Sequence, residues 1–169
     1  MEDVWNGLLD HFEARADYFR IFDRYRMRPD SWLQVEALAT LLPLAGSRIR
    51  DLRPDHHGCD VWLATADGEW WLMVQSLLTS YAGAGRDARP TVISVEQVAR
   101  EMDKLSGLAM LSGGRGALLL AAFPFGPEPR ERDEWKSQLL RFEAKGFALS
   151  GLRTVSLRPE RECRIYMFA

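Results

Sequence analysis

Two polar side chains interrupt an otherwise apolar hairpin. The stretch DVWLATADGEWWLMVQSL spans residues 60–77, begins with Asp60 and carries Gln75 near its end. If Asp67 and Gly68 are the central residues of a tight turn, Asp60 lies directly opposite Gln75, with Cβ atoms about 5 Å apart. A carboxylate and an amide placed together at a strand end could form a functional site. The two side chains could equally hydrogen-bond to each other or to the neighbouring loop.

The elements before the hairpin must place further polar groups beside this pair. Apolar residues at helical spacing predict an amphipathic N-terminal helix over residues 1–28, which Pro29 should end. A second helix begins at once, because residues 31–34 have the form of a capping box and Asp30 is an alternative cap. The predicted inward stripe of this helix consists of Trp32, Val35, Ala39 and Leu42.

The rest of the chain predicts a sheet between helices. A first strand at 47–52 and the hairpin are followed by a helix, the apolar strand ALLLAAFPF, a helix and two strands. A strand, helix, strand connection is a parallel crossover, so the sheet should be mixed. Both faces of the hairpin are apolar, so helices should cover both sides. The face of Asp60 and Gln75 carries Trp62, Trp71, Met73 and Leu77, and the other face carries Val61, Leu63, Trp70, Leu72 and Val74.

The order of elements and the polar positions resemble the PD-(D/E)XK nuclease superfamily over roughly residues 30–125. In that family an early helix contributes a Glu, and a three-strand meander contributes an Asp and a (D/E)xK tripeptide. Glu36 lies in the early helix here, Asp60 begins the second strand, and the tripeptide position holds QSL at 75–77. The resemblance implies a three-layer α/β/α restriction-endonuclease-like fold with a mixed central sheet. The chain would be one domain over 1–169, in which an extra N-terminal helix at 1–28 precedes a nuclease-like core at 30–169.

The same resemblance implies a metal site whose ligands are Glu36, Asp60 and Gln75. Mg²⁺ or Mn²⁺ in such a site stabilises charge at a phosphate and activates a water, and the family's lysine supports that nucleophile. Leu77 stands in the lysine position and has neither charge nor donor. Lys104, on the helix after the meander, is a candidate for a relocated lysine. The catalytic residues would then be Asp60, Gln75 and Lys104.

Three functions stay open at this point. The preferred one is a catalytically inactive relative that needs no cofactor and binds a nucleic acid or a protein partner, because Leu77 removes the lysine. The second is an active nuclease that uses Mg²⁺ or Mn²⁺ together with Lys104. The third is a structural or interaction protein without a residual site, in which aromatic side chains around the N-terminal helix could form a homodimer surface.

Composition limits the other classes. The net charge of −2 gives no general attraction to nucleic acid. No apolar run reaches the roughly 18 residues of a membrane helix, and the acidic N-terminus is unlike a signal peptide. We therefore expect a cytoplasmic protein without a membrane partner. Cys59 and Cys163 are far apart and outside any CxxC spacing, so both should be free thiols.

Two further patterns give little support for a functional site. His56, His57, Cys59 and Asp60 are metal-binding types, but they are too crowded in one loop for a tetrahedral site. The GAGRDA stretch at 83–88 has the spacing of a nucleotide-binding turn, although Pro90 falls where the following helix should begin.

Overall fold

The computed structural model of the chain describes residues 1–79, 92–126 and 129–169. The GAGRDA stretch at 83–88 lies outside these residues. The predicted order of elements is confirmed, except that the N-terminal helix is two helices. The described elements are α1 Glu2–Glu13, α2 Ala16–Tyr25, α3 Asp30–Leu41 with a 3₁₀ turn Leu42–Leu44, β1 Ile49–His56, β2 Cys59–Thr65, β3 Gly68–Leu78, α4 Val92–Ser112, β4 Arg115–Phe125, α5 Pro129–Glu143, β5 Leu149–Arg158 and β6 Arg161–Phe168.

The strands form one mixed sheet in the order β1-β2-β3-β4-β6-β5. β3 and β4 pair in parallel, whereas the other neighbouring strands are antiparallel. The parallel pair arises because α4 returns the chain to the end of the sheet at which β3 began. The predicted mixed sheet is confirmed. Among the described helices, none is long and apolar enough to cross a membrane.

Helices cover both faces of the sheet and enclose two apolar cores. On one face α1, α2 and α3 pack against side chains that include Val61, Leu72 and Val74. On the other face α4 and α5 pack against side chains that include Trp71 and Met73. The division of the hairpin into two apolar faces is therefore as predicted.

The register of the hairpin differs from the prediction by two residues. Thr65 pairs with Gly68 and Val61 pairs with Leu72, so the central turn residues are Ala66 and Asp67. The Thr65 hydroxyl fixes this turn, because it accepts the Asp67 N–H at 3.2 Å and donates to the Gly68 carbonyl at 3.0 Å. A slip of two residues leaves every side chain on its predicted face. It does, however, end the expectation that Asp60 lies directly opposite Gln75.

The predicted N-terminal helix is broken after α1. The Arg15 N–H bonds back to the Phe12 carbonyl, and α2 begins at Ala16. The break lets α1 lie on β5 and β6 while α2 lies on β5. No proline or glycine marks residues 14–15, so the sequence gives no signal for the change of direction.

The inward stripe predicted for α3 is wrong for Val35, Ala39 and Leu42, whereas Trp32 is half-buried and packs against the core. Leu33, Ala37 and Leu41 are the fully buried positions, and they recur at the spacing of one helix face. Val35 is 63% exposed and Leu42 is 56% exposed, so these two predicted core residues lie on the outward side. The helix has apolar side chains on two sides, and periodicity alone did not identify which side faces the sheet.

Candidate functional site

The far end of β3 extends past its pairing with β2. The described pairing runs from the pair of Thr65 with Gly68 to the pair of Val61 with Leu72, whereas β3 continues to Leu78. Alternate residues of a strand direct their N–H groups to the same side, so the groups of Val74 and Ser76 point to the side of β2. There the Val74 N–H donates to Asp60 Oδ2 at 2.6 Å, and the Ser76 N–H donates to Asp30 Oδ1 at 2.7 Å. Two carboxylates thus take the place of a strand.

Asp60 uses both of its carboxylate oxygens in these contacts. Oδ2 accepts the Val74 N–H, and Oδ1 accepts the side-chain amide of Gln34 at 2.8 Å. Burial raises the pKa of Asp60; the bond from Val74 opposes this shift, and the charges of Asp30, Glu101 and Asp55 add to it.

Asp30 is directed to the sheet and not to its own helix. The N-cap of α3 is Pro29, and no side chain caps the helix, so both predicted caps are wrong. The Asp30 carboxylate accepts both the N–H and the hydroxyl of Ser76, the hydroxyl at 2.6 Å, and Arg28 lies 3.2 Å from its other oxygen. We call Asp30, Gln34, Asp60 and Ser76 the β3-end cluster.

Glu36 lies on the opposite side of α3 from this cluster. Its carboxylate accepts hydrogen bonds from His11 Nε2 at 2.5 Å and from Arg15 Nε at 3.3 Å. Residues two apart on a helix are separated by about 200°, so Gln34 faces Asp60 and Glu36 faces away. Burial opposes ionisation of Glu36, but the hydrogen bonds from His11 and Arg15 prevail and lower its pKa. The predicted ligand set of Glu36, Asp60 and Gln75 is therefore not brought together.

Gln75 shares a sheet face with Asp60 and is half-buried, with Leu120 of β4 as its backbone neighbour. Its side chain makes no hydrogen bond with the described residues. Leu77 is fully buried in the core beneath α4 and α5. A lysine at that position would have to bury its charge or distort the core.

α4 places one further ion pair near Asp60. Lys104 Nζ lies 2.8 Å from a carboxylate oxygen of Glu101. The Glu101 charge is close enough to contribute to the raised pKa of Asp60. Lys104 therefore lies on the side of α4 that carries this acid, but its own direct partner is Glu101.

The β1–β2 turn offers aromatic contacts and a protonated thiol. His56 stacks on Trp71 with ring centres 5.8 Å apart, and the His57 ring lies 4.3 Å from that of His56. The Cys59 thiol donates to the His56 carbonyl at 3.0 Å, and burial together with the Asp60 charge raises its pKa to about 11. Both cysteines are free, as predicted.

The donor set does not fit a metal ion. Within residues 1–79, 92–126 and 129–169, no three His, Cys, Asp or Glu side chains are grouped so that they could hold one. Asp60 would have to release two donors, each of which would lose its acceptor. The arrangement instead satisfies backbone groups at the end of a strand.

Three members of the β3-end cluster, Asp30, Gln34 and Ser76, were not predicted as site residues. Asp30 and Gln34 are four residues apart, which places them on one side of α3, next to the buried Leu33 and Ala37. That spacing is the signal that could have identified them, once the inward side of α3 was known.

Comparison of the chain with protein-family models, with curated proteins and with solved structures gives no match.

Proposed function

We propose that this chain is a catalytically inactive domain of PD-(D/E)XK nuclease-like fold that acts by binding a protein partner. The observation that carries the proposal is the state of Asp60, whose two oxygens are held by Gln34 and Val74. The order from α3 through β1, β2, β3 and α4 to β4 is the order on which the resemblance rests. The proposed function is the binding of a protein partner by the exposed surface of the domain.

The energetics favour the hydrogen-bonded form of the site. Binding a cation at Asp60 would leave the Gln34 amide and the Val74 N–H without acceptors, and an unsatisfied buried donor costs about 1–3 kcal/mol. The buried Leu77 supplies no group that could support a nucleophile. Metal binding at Asp60 would therefore carry a free-energy cost from the two lost hydrogen bonds, and the site would lack the lysine of the nuclease superfamily.

A protein partner fits the exposed surface better than a nucleic acid does. The chain carries a net charge of −2, and α3 and the 3₁₀ turn after it present the exposed aliphatic side chains Val35 and Leu42. Aliphatic groups neither neutralise phosphates nor stack on bases, whereas they are ordinary components of protein interfaces. The binding proposal is therefore directed at a protein.

The proposal is tested by calorimetric titration of the full chain with Mn²⁺ and Mg²⁺ up to millimolar concentrations. We expect no binding heat, and no cleavage of plasmid, linear or single-stranded DNA. Gln75→Ala is the matched variant, because Gln75 makes no hydrogen bond with the described residues and its loss should leave the fold intact. Binding heat that weakens in Gln75→Ala, together with cleavage lost in Asp60→Ala, would overturn the proposal.

A second candidate function is a Mg²⁺- or Mn²⁺-dependent nuclease that uses the relocated Lys104. One observation favours it: Glu101 acts on the pKa of Asp60 and holds Lys104 at 2.8 Å. This candidate predicts cleavage that disappears in Lys104→Ala while the circular-dichroism spectrum stays unchanged. A silent Mn²⁺ titration would end it.

A further inference from the structure

α2 and α3 leave apolar side chains exposed on their outward sides. On α2, Tyr18, Ile21 and Tyr25 recur at the spacing of one helix face, and Ile21 is 48% and Tyr25 64% exposed. Along α3 and the 3₁₀ turn after it, Val35, Ala39 and Leu42 form an equivalent stripe. Together these side chains are called the outer face: Tyr18, Ile21, Tyr25, Val35, Ala39 and Leu42.

The two stripes of the outer face adjoin through Trp32. The Tyr18 ring stacks on Trp32, with ring centres 5.1 Å apart and planes 20° apart. Trp32 lies one helical turn before Val35, so the aromatic part on α2 leads into the aliphatic part on α3. Exposed apolar side chains whose helices are joined by such a stack are more typical of an interaction site than apolar residues scattered singly.

Unpaired positive charge borders the α2 side of the outer face. The Arg24 guanidinium lies 5.6 Å from the centre of the Tyr25 ring, and Arg26 follows at the end of the helix. Neither arginine makes an ion pair with a described residue. The nearby Asp17 is already paired with Arg20 at 2.7 Å. A partner can therefore gain by supplying carboxylates next to Arg24 and Arg26.

This charge pattern decides between the possible occupants. A second copy in a two-fold dimer would present the same surface, and that surface has no unpaired carboxylate for Arg24 or Arg26. A nucleic acid could contact the arginines, but the half of the face on α3 offers it only uncharged aliphatic groups. An amphipathic protein segment with acidic flanks satisfies both halves, because its apolar side chains can cover the exposed apolar ones while its carboxylates lie beside the arginines.

We infer that the outer face binds an amphipathic, acidic protein segment, whose apolar side chains cover Ile21, Tyr25 and Val35 and whose carboxylates reach Arg24 and Arg26. The inference rests on the proposed function, which requires a protein partner, and it names the surface and the chemistry of that partner.

The test uses three fluorescent synthetic peptides of about 20 residues, long enough for several helical turns. The first has a leucine stripe at helical spacing flanked by Glu, the second has Lys in place of every Glu, and the third has the acidic composition with the stripe scrambled. Binding to the full chain is followed by fluorescence anisotropy. We expect the acidic amphipathic peptide to bind at least about tenfold more tightly than the other two, with affinity that falls as salt is raised.

Variants of the chain locate the binding site. Ile21→Asp and Val35→Asp should each weaken the acidic peptide by about tenfold or more, because each places a like charge in the apolar contact. The double variant with Arg24→Glu and Arg26→Glu should reverse the preference toward the Lys peptide. Leu140→Asp is the matched control, since Leu140 is 57% exposed on α5 and lies on the opposite side of the sheet. It should leave the affinity unchanged.

Several results would overturn the inference. They are equal affinity for the acidic and basic peptides, absence of binding, tighter binding of single-stranded DNA, or a dimer in light scattering that Ile21→Asp dissociates. Failure of the peptide binding together with a silent Mn²⁺ titration would remove this inference and leave the catalytic inactivity standing. Metal binding and cleavage that depend on Asp60 would instead remove the proposed function, whatever the peptides show.

Discussion

The two sides of α3 differ in how completely their side chains are partnered. Toward the sheet, Leu33 is fully buried and Gln34 donates to Asp60. Toward the outside, Val35 and Leu42 remain exposed. The polar side chains that were candidates for chemistry are thus hydrogen-bonded within the fold, whereas some apolar side chains of a type that usually forms cores are exposed. Exposed side chains without a packing partner are therefore our better guide to a binding surface than residue type alone.

The largest difference in stability should come from truncating one apolar residue on each side of α3. Leu33→Ala removes a fully buried side chain and should lower the free energy of unfolding by about 2–5 kcal/mol. Val35→Ala removes an exposed one and should change it by less than about 0.5 kcal/mol. Urea denaturation of both variants measures the difference. Equal losses would mean that the outer side is covered and that the comparison fails.

Removal of the Asp60 carboxylate should be the next largest effect. Asp60→Ala leaves the Val74 N–H and the Gln34 amide without their acceptor, so we expect a loss of about 1–3 kcal/mol in the free energy of unfolding. Asp17→Ala is the control, because its partner Arg20 lies on the surface and exposed pairs contribute little. An Asp60→Ala variant as stable as Asp17→Ala would show that the β3-end cluster is not structural.

The two carboxylates that were expected in one metal site should respond oppositely to pH. The pKa of Glu36 is lowered from 4.5, so its ionised form stabilises the fold above pH 4.5, and this contribution is lost as the pH falls through the lowered pKa. The pKa of Asp60 is raised from 3.8, so between 3.8 and the raised value the folded chain binds more protons. Stability therefore falls as the pH rises through that second window.

Glu36→Gln isolates the first of these contributions. We expect it to cost about 1 kcal/mol at neutral pH, because the contacts of the carboxylate with His11 and Arg15 are lost, and progressively less as the pH falls below 4.5. Urea midpoints of the wild type and the variant, measured across this range, give the difference. A cost that stays constant down to low pH would show that the ionisation of Glu36 does not contribute to stability.

The smallest expected effect concerns Lys104. Lys104→Ala removes an exposed partner of Glu101 and should change the free energy of unfolding by no more than about 0.5 kcal/mol. Thermal denaturation followed by circular dichroism measures it. A much larger loss would mean that the side chain has a structural partner, and the outward side of α4 would then resemble the inward side of α3.

The sequence predicted the mixed sheet because a strand, helix, strand connection requires a parallel pair, and it predicted the two faces of the hairpin because they depend on short-range alternation. The face assignment also survived the error in register, since the Thr65 turn shifted the pairing by two residues and not by one. The break between α1 and α2 could not be predicted, because no local residue marks it and tertiary packing decides the direction of α2.

The candidate site was predicted less well for a related reason. Asp60 was identified, but its neighbours depend on which side of α3 faces the sheet, and α3 is apolar on two sides. Glu36 was expected beside Asp60 because the family resemblance assigned it there, and Gln34 was overlooked because the wrong side of α3 was expected to face the sheet. The choice between the two sides depends on long-range packing against β3, which is not contained in the spacing of α3 itself.

The carboxylates at the end of β3 also bear on how the protein behaves when it is crowded. A strand that extends beyond its neighbour offers bare N–H groups, to which a strand of another molecule can add. Asp60 and Asp30 already occupy the N–H groups of Val74 and Ser76, and their charge repels the carbonyl oxygens of an incoming strand. Asp60, which was expected in a metal site, thereby acts with Asp30 to protect the sheet against aggregation through its unpaired strand end.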